Sequence, residues 1–329
     1  MNIKEIAQEC GVSTATVSRV INNFPHIHKK TRQNVLAVIQ KYNYTPNFFA
    51  RNLSKKTVET VALIIPENFS TSSYYFMEVL KGISAEIKKT DFSLLLVSAE
   101  KDKIPKLFAE KKICGAIFLA PPVNTPVLKT LQKNKKFFVL INAKYKNSPR
   151  IDINNVQATQ EILTHLYNLG HRKIAIVMGV KNSLNAIERL KTYKKFLLTK
   201  NLPLKKHWIL QGNFQLETTY AVVKKLFSSK TETPTAIFAE NDLMAAGVLK
   251  ALAELKIPVP EKVSVAGFDN INISPYLNPP LTTVNQPFEK MGQMAMKIML
   301  SFLNKEKLNR EIILPHQIII RQSTGKANE

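Results

Sequence analysis

The chain has 329 residues, of which 45% are hydrophobic, and a formal net charge of +23. This length suits two or three domains with a large core, and the charge favours a polyanionic partner such as nucleic acid. The apolar runs, such as residues 61–65, are too short to span a bilayer, and the N-terminus lacks the pattern of a signal peptide. We therefore expect a cytoplasmic protein without a membrane partner.

Two cysteines and six scattered histidines argue against a disulfide framework or a metal centre. Both cysteines lie on apolar stripes, which predicts buried free thiols. Residues 1–60 carry +6 and the remainder carries +17. We interpret that excess mainly as a lysine-rich solvated surface. Extra nonspecific attraction to DNA or an acidic protein partner would also fit it.

The first 45 residues predict three short helices. Gly11 suits a left-handed end to the first helix, and Ser13 suits the N-cap of the second. The apolar residues of the first helix recur at helical spacing: Ile3, Ile6, Ala7 and Cys10. A tight turn between two such helices is typical of a helix-turn-helix, whose second helix enters the DNA major groove.

The second helix begins with four small residues, "STAT", at positions 13–16. Small side chains let its first turn approach base edges and phosphates closely, and a helix N-terminus favours an anion. Arg19 can offer a bidentate fork to guanine. The same pattern would also suit a plain three-helix domain with a solvated polar face.

After Thr60, short apolar runs alternate with helical stretches. Continuous apolar strands separated by helices indicate parallel α/β units, and seven strands over about 270 residues suit two doubly wound subdomains. The seven runs are "VALII", "FSLLLVS", "ICGAIFL", "FFVLI", "KIAIVMG", "TAIFAE" and "VSVAGFD". Ligands of such sheets bind at the carboxyl ends of the strands, here in a cleft between two lobes.

The segments "IKEIAQECGVSTATVSRVINN" and "TRQNVLAVIQKYNYTPNFFARNL" resemble the DNA-binding head of the LacI/GalR family of bacterial transcription regulators. This resemblance implies a DNA-binding head over residues 1–45, a hinge helix and linker over 46–59, and an effector-binding and dimerisation domain over 60–329. The implied DNA-binding residues are Ser13, Thr14, Ala15, Thr16, Ser18, Arg19 and Asn22 in the head and Ala50 and Leu53 in the hinge. Leu53 matches the leucine that wedges into the operator centre, while Phe49 departs from the usual valine.

"LGHRKIAIVMG", "TAIFAENDLMAAGVLKAL" and "VSVAGFDN" resemble the family's effector-binding domain, which is related to periplasmic sugar-binding proteins. The implied effector-binding residues are Tyr75, Phe76, Arg189, Phe214, Asn241 and Asp269. Asn154-Asn155 stands where the family usually has Asp-Asn. Ser183 stands where a purine-binding relative has an arginine, which weakens a purine interpretation. Asp242 is interpreted as a helix N-terminal acid rather than a ligand contact.

The resemblance implies a homodimeric regulator, most often a repressor, that binds palindromic double-stranded operator DNA under control of a small ligand, with a sugar or sugar derivative expected. A phosphorylated carrier protein, the co-effector of a related branch, is a weaker candidate for the controlling partner. Two different functions, those of a solute-binding protein and of a sugar-processing enzyme, would also suit an α/β fold of this kind. The N-terminal head argues against the first, and the lack of paired catalytic groups argues against the second, so no enzymatic activity or cofactor is expected.

Overall fold

A computed structural model describes residues 2–21, 24–44, 58–66, 73–100, 102–123, 125–307 and 309–328. The chain divides into two compact units, Met1–Glu59 and Thr60–Glu329. Most of the predicted hinge, with Phe49, Ala50 and Leu53, lies outside the described residues, and so does Asn22. The predicted domain boundaries therefore stay a prediction.

The first unit contains three helices: α1 (Ile3–Glu9), α2 (Thr14–Ile21) and α3 (Lys29–Lys41). Asn2 and Glu5 form a capping box at the start of α1. Gly11 has a φ of +63°, as predicted for the end of α1. The three helices enclose a small core, which is formed by Ile6, Ala7, Cys10, Val17, Val20 and Val35. The predicted apolar stripe of α1 is thus confirmed.

The second unit contains two parallel sheets and a short antiparallel pair. The strands of the larger sheet are β1 (Thr60–Ile65), β2 (Ser93–Ser98), β3 (Gly115–Leu119), β4 (Phe138–Ile141), β5 (Arg150–Ile153) and β11 (Glu311–Leu314). They lie side by side in the order β11-β5-β4-β3-β1-β2. The helices α4 (Tyr74–Ile87), α5 (Lys103–Ala109), α6 (Pro126–Lys133) and α11 (Phe288–Leu303) accompany this sheet. We call this assembly the N-lobe.

The strands of the smaller sheet are β6 (Ile174–Met178), β7 (Ile209–Gln211), β8 (Ala236–Ala239) and β9 (Ser264–Ala266). They lie side by side in the order β7-β6-β8-β9. It is accompanied by α7 (Asn155–Asn168), α8 (Leu184–Thr199), α9 (Leu216–Phe227) and α10 (Asp242–Glu254). The strands β10 (Thr283–Asn285) and β12 (Gln317–Ile319) pair beside α7. We call this assembly the C-lobe.

The chain crosses between the lobes three times, from β5 to α7, from β10 to α11 and from β11 to β12. Three short crossings thus join the two lobes. The parallel pairing of all seven predicted strands confirms the predicted fold class. No helix among the described residues is long and apolar enough to cross a membrane.

Candidate functional site

The second helix of the head presents the residues predicted to contact DNA. Thr14, Ala15 and Arg19 are exposed, whereas Val17 and Val20 are buried on the opposite side. Ser13 Oγ accepts a hydrogen bond from the backbone N–H of Thr16 at 3.1 Å, as expected of an N-cap. The Ser13 and Thr16 hydroxyls also lie 2.9 Å apart, so phosphate contacts would compete with this pair. Ser18 is half-buried on the same helix.

Five polar side chains gather where carboxyl ends of strands from both sheets meet the crossings. Asn142 follows β4 of the N-lobe, Glu240 follows β8, Asp269 comes shortly after β9, and Gln286 occupies the second crossing. Arg189, on α8, completes the group. Arg189, Asn142, Glu240 and Gln286 are each at most 6% exposed. A cleft between lobes is where the doubly wound pattern predicts a ligand.

Arg189 is fixed by neutral acceptors. Its Nε and Nη2 atoms donate to Oδ1 of Asn155 at 3.0 and 2.9 Å, and its Nη1 atom donates to the backbone carbonyl of Glu240 at 2.6 Å. The guanidinium lies 3.7 Å from the centroid of the Phe268 ring. Asn155 in turn donates to Asp152 Oδ1 at 3.1 Å. Asn155 is the first residue of α7, so the arginine is positioned by the first crossing.

Asp269 is linked to the opposite lobe through one glutamine. Gln286 Nε2 donates to Asp269 Oδ1 at 2.6 Å, and Gln286 Oε1 accepts from Asn142 Nδ2 at 3.3 Å. The backbone N–H of Asp269 also donates to the Val284 carbonyl at 2.8 Å. A ligand that engages Asp269 therefore acts on a chain of bonds running from the C-lobe to the N-lobe.

Burial dominates the electrostatics of this cluster. Burial raises the pKa of Asp269 to about 8, and the positive charge of Arg189 opposes the rise. Burial likewise raises the pKa of Glu240 to about 8 and that of Asp152 to about 6. Burial and the nearby carboxyls of Asp152 and Asp269 raise the pKa of Tyr75 well above its ordinary value. Tyr75, Asp152, Asp269 and Arg189 thus share one electrostatic environment.

The structure places the remaining predicted effector residues in different surroundings. The ring of Tyr75 packs 4.7 Å from that of Phe288 near the second crossing. Phe76 is 3% exposed and packs in a hydrophobic cluster that spans both lobes and includes Phe268, the ring beside Arg189. Phe214 lies against Gly179 at the end of β6, where an added Cβ would overlap the ring. Asn241 caps α10, because its Oδ1 accepts from the Met244 N–H at 2.8 Å.

Several neighbours have structural roles. Asp242 starts α10 as interpreted, but its carboxylate accepts hydrogen bonds from the Ile271 N–H and from the hydroxyls of Ser274 and Thr283. Ser183 caps α8, and Asn154 caps α7. The sequence did not indicate the roles of three members of the cluster and of one residue that holds Arg189: Asn142, Glu240, Gln286 and Asn155. Glu240, in "AIFAEND" directly after an apolar strand, carried a signal of the kind that identified Asp269.

Comparisons with known proteins agree with this architecture. Residues 2–47 match the model of bacterial regulatory proteins of the lacI family, and residues 163–324 match a periplasmic binding protein-like domain. Catabolite control protein A of Priestia megaterium is 32% identical, over 98% of this chain and 99% of that protein. The HTH-type transcriptional repressor PurR of Aliivibrio fischeri (strain MJ11) is 30% identical, over 98% of this chain and 97% of that protein.

A solved structure of a Lac repressor dimer bound to operator and the anti-inducer ONPF is 24% identical, with a TM-score of 0.88 and 99% coverage of both chains. That likeness shows the same fold. The fold and head thus define a DNA-binding transcriptional regulator with a periplasmic-binding-protein-like ligand domain. The chain belongs to the lacI family of bacterial regulatory proteins. Its matched relatives are regulators rather than enzymes, which confirms the prediction of a non-enzymatic role.

Proposed function

We propose that the chain is an operator-binding repressor whose DNA affinity is set by a small polar ligand held between the lobes. This proposal rests on one observation: hydrogen bonds join the polar cluster to two of the crossings between the lobes. Arg189 is fixed through Asn155 in the first crossing, and Asp269 through Gln286 in the second. A ligand bound to both side chains would change the bonds that set the angle between the lobes.

The chemistry of the cluster suits a ligand with several hydroxyl groups. Asp269 and the Asn142 carbonyl accept hydrogen bonds, whereas the guanidinium of Arg189 donates them. Three of its five N–H groups are used by Asn155 and Glu240, which leaves two for a ligand. Phe214 offers a ring face at the C-lobe side. A sugar or sugar derivative combines such hydroxyls with an apolar face, so it fits these groups.

Control of DNA affinity requires differential binding. A ligand shifts the regulator between two states only by the difference between its affinities for them. We propose that parting or closing of the lobes alters the spacing of two hinge segments in a homodimer. The cytoplasm, where DNA is accessible, is the proposed location. A phosphorylated carrier protein stays the weaker candidate for the controlling partner.

We infer a homodimer from the family, because a Lac repressor with the same fold forms a dimer bound to operator. Sedimentation equilibrium should give a dimer at micromolar concentration, whereas a monomer or tetramer would contradict this assignment.

Asp269→Ala tests the ligand site. We expect the variant to bind operator DNA like the wild type but not to respond to the effector, because its cleft lacks the central acceptor. The measurement is fluorescence anisotropy of a labelled operator titrated with protein, with and without the effector. Glu217→Ala, which removes an exposed carboxylate from the same lobe, is the matched control. An unchanged response in Asp269→Ala would remove Asp269 from the site.

A further inference from the structure

Three acids share one arginine in this cluster, because the charge of Arg189 acts on Asp152, Glu240 and Asp269. Asp152 and Glu240 are 2% and 0% exposed, and Asp269 is half-buried. Arg189 is the cation that opposes the raised pKa of both Glu240 and Asp269. Its hydrogen bonds, however, go to the amide oxygen of Asn155 and the backbone carbonyl of Glu240. The positive charge of Arg189 therefore acts on the carboxyl groups of Glu240 and Asp269, although these three N–H donors of Arg189 bond to other acceptors.

The Glu240 carboxyl is only half satisfied. Oε2 accepts a hydrogen bond from the backbone N–H of Gly179 at 2.8 Å. Oε1 is buried and has no hydrogen-bond partner among the described residues. Gly179 lies directly against Phe214, so the carboxyl group lies close to the aromatic wall of the predicted ligand site. An unpartnered buried carboxyl oxygen is costly unless a ligand supplies the missing donor.

A second unsatisfied acceptor comes from the N-lobe. Asn142 Oδ1 is also buried and without a hydrogen-bond partner in the described part of the chain. Its Nδ2 atom donates to Gln286, which donates to Asp269. Each lobe thus contributes a spare acceptor, Asn142 from the N-lobe and Glu240 from the C-lobe. A ligand with several N–H or O–H donors would satisfy both, and a positively charged donor would also offset the excess of acids.

We propose that Glu240 is a second acid of the effector site and that the effector carries a protonated amine, as an amino sugar does. This inference rests on the proposed function, because it assumes that the cleft binds the effector. The ammonium group donates to Glu240 Oε1 in a charge-assisted hydrogen bond, which is stronger than a neutral one. The hydroxyl groups engage Asp269 and Arg189, and Phe214 covers the sugar face. The lobes part at the crossings to admit the ligand to these shielded atoms.

The same arrangement selects against anionic ligands. A phosphate or carboxylate placed beside Glu240 and Asp269 would meet two acids and one arginine, whose remaining donors are limited to two N–H groups. Burying the charge of a phosphate or carboxylate is costly where few charged donors compensate for it. The site therefore favours amino sugars over both neutral sugars and sugar phosphates.

The experiment measures ligand binding to the full chain by calorimetry. The probes are glucosamine, galactosamine and mannosamine, each compared with its parent hexose and the corresponding hexose 6-phosphate at fixed pH and ionic strength. We expect at least one amine to bind about tenfold or more tightly than its parent hexose, since a hydrogen bond to a charged group is involved. We also expect no binding of the phosphates.

The variant Glu240→Gln separates the carboxylate from the shape of the site. Its side chain can still accept from the Gly179 N–H, so a folded protein is expected, and the fluorescence of Trp208 in the C-lobe core checks this. We expect the preference for the amine over its parent hexose to fall about tenfold or more. Glu217→Gln, which removes an exposed carboxylate of the same lobe, should retain the wild-type preference.

Proton release gives a second readout. Burial raises the pKa of Glu240 to about 8, so its carboxyl group holds a proton at neutral pH. Binding of a cation to Glu240 expels that proton, and the binding enthalpy then depends on the buffer. Tighter binding of a neutral hexose or a phosphate, binding of none of the amines, or an unchanged amine preference in Glu240→Gln would overturn the inference. If wild-type protein fails to bind any operator, the proposed function itself fails, and that result is independent of the ligand panel.

Discussion

The pH dependence of stability tests how deeply Glu240 is buried. Burial raises its pKa to about 8 from an ordinary value of 4.5, although Arg189 and the Gly179 N–H oppose the rise. The unfolded chain releases this proton above its ordinary pKa, whereas the folded chain keeps it until the raised pKa. Stability is therefore greatest below the unfolded pKa and falls as the pH rises toward the folded one.

The size of this pH effect follows from one proton that the folded state binds and the unfolded state has released. Across the window between the two pKa values, one extra proton on the folded state lowers the free energy of unfolding by about 1.4 kcal/mol for each pH unit gained. Glu240→Gln removes this contribution. The free energy of unfolding of the variant should therefore fall less steeply with pH than that of the wild type, by about 1.4 kcal/mol for each pH unit. The raised pKa values of Asp269, Asp152 and Asp242 have the same sign, but they are present in both proteins. The difference between the two slopes therefore isolates Glu240.

Urea unfolding monitored by Trp208 fluorescence provides the assay. Trp208 is the only tryptophan of the chain, is fully buried and belongs to the C-lobe core around β8. Unfolding curves are measured from pH 5 to pH 7.5, which is about the range in which the folded and unfolded states differ. Glu217→Gln controls for removal of one surface charge. Parallel stability profiles of wild type and Glu240→Gln would refute the burial argument.

Three further predictions concern the head, the hinge and the N-lobe. Arg19→Ala should weaken specific operator binding by about 1–3 kcal/mol and relax preference at one base pair per half-site, as measured by anisotropy on operator variants. Leu53→Ala should lose most of the operator bend and of the preference for a flexible central step, as measured by a permuted-site bending assay. Gly292→Ala should destabilise the N-lobe by about 1–3 kcal/mol in thermal unfolding, because its Cβ would overlap the Val79 carbonyl oxygen of α4.

Each of these has its own contrary outcome and control. Equal weakening on all DNA sequences would make Arg19 a phosphate contact. Equal bend angles in wild type and Leu53→Ala would make Leu53 ordinary hinge packing. An unchanged melting temperature for Gly292→Ala would mean that α4 and α11 separate at little cost, and Ser84→Ala, a half-buried position on α4, provides the reference for an ordinary substitution.

The fully buried strands could be predicted from the sequence because their apolar runs are continuous. Residues 115–119 and 236–239 are buried throughout, so each reads as an unbroken apolar run. The strand Arg150–Ile153 escaped prediction because it carries Asp152 and Arg150 within four residues. The edge strand Glu311–Leu314 alternates between exposed and half-buried residues, so its apolar signal is weak.

The candidate effector site could be predicted only in part. Asp269 and Arg189 are predicted from matched positions, whereas Asn155 and Gln286 bond to Arg189 and Asp269 across 34 and 17 residues of sequence. Such pairings depend on how the crossings fold, and no local pattern encodes them. Phe76 and Tyr75 both pack on one hydrophobic cluster, and their predicted contacts with an effector stay a prediction.

Control of sequence-specific DNA binding by a ligand in the cleft can be measured in one selection experiment. Genomic fragments are selected with the full chain, with and without a pooled mixture of sugars and amino sugars, for wild type and Asp269→Ala. We predict that wild type enriches an inverted repeat whose recovery changes with the pool, and that Asp269→Ala enriches the same repeat regardless of the pool. Failure to enrich any repeat, or an Asp269→Ala variant that still responds to the pool, would contradict ligand control through this cleft.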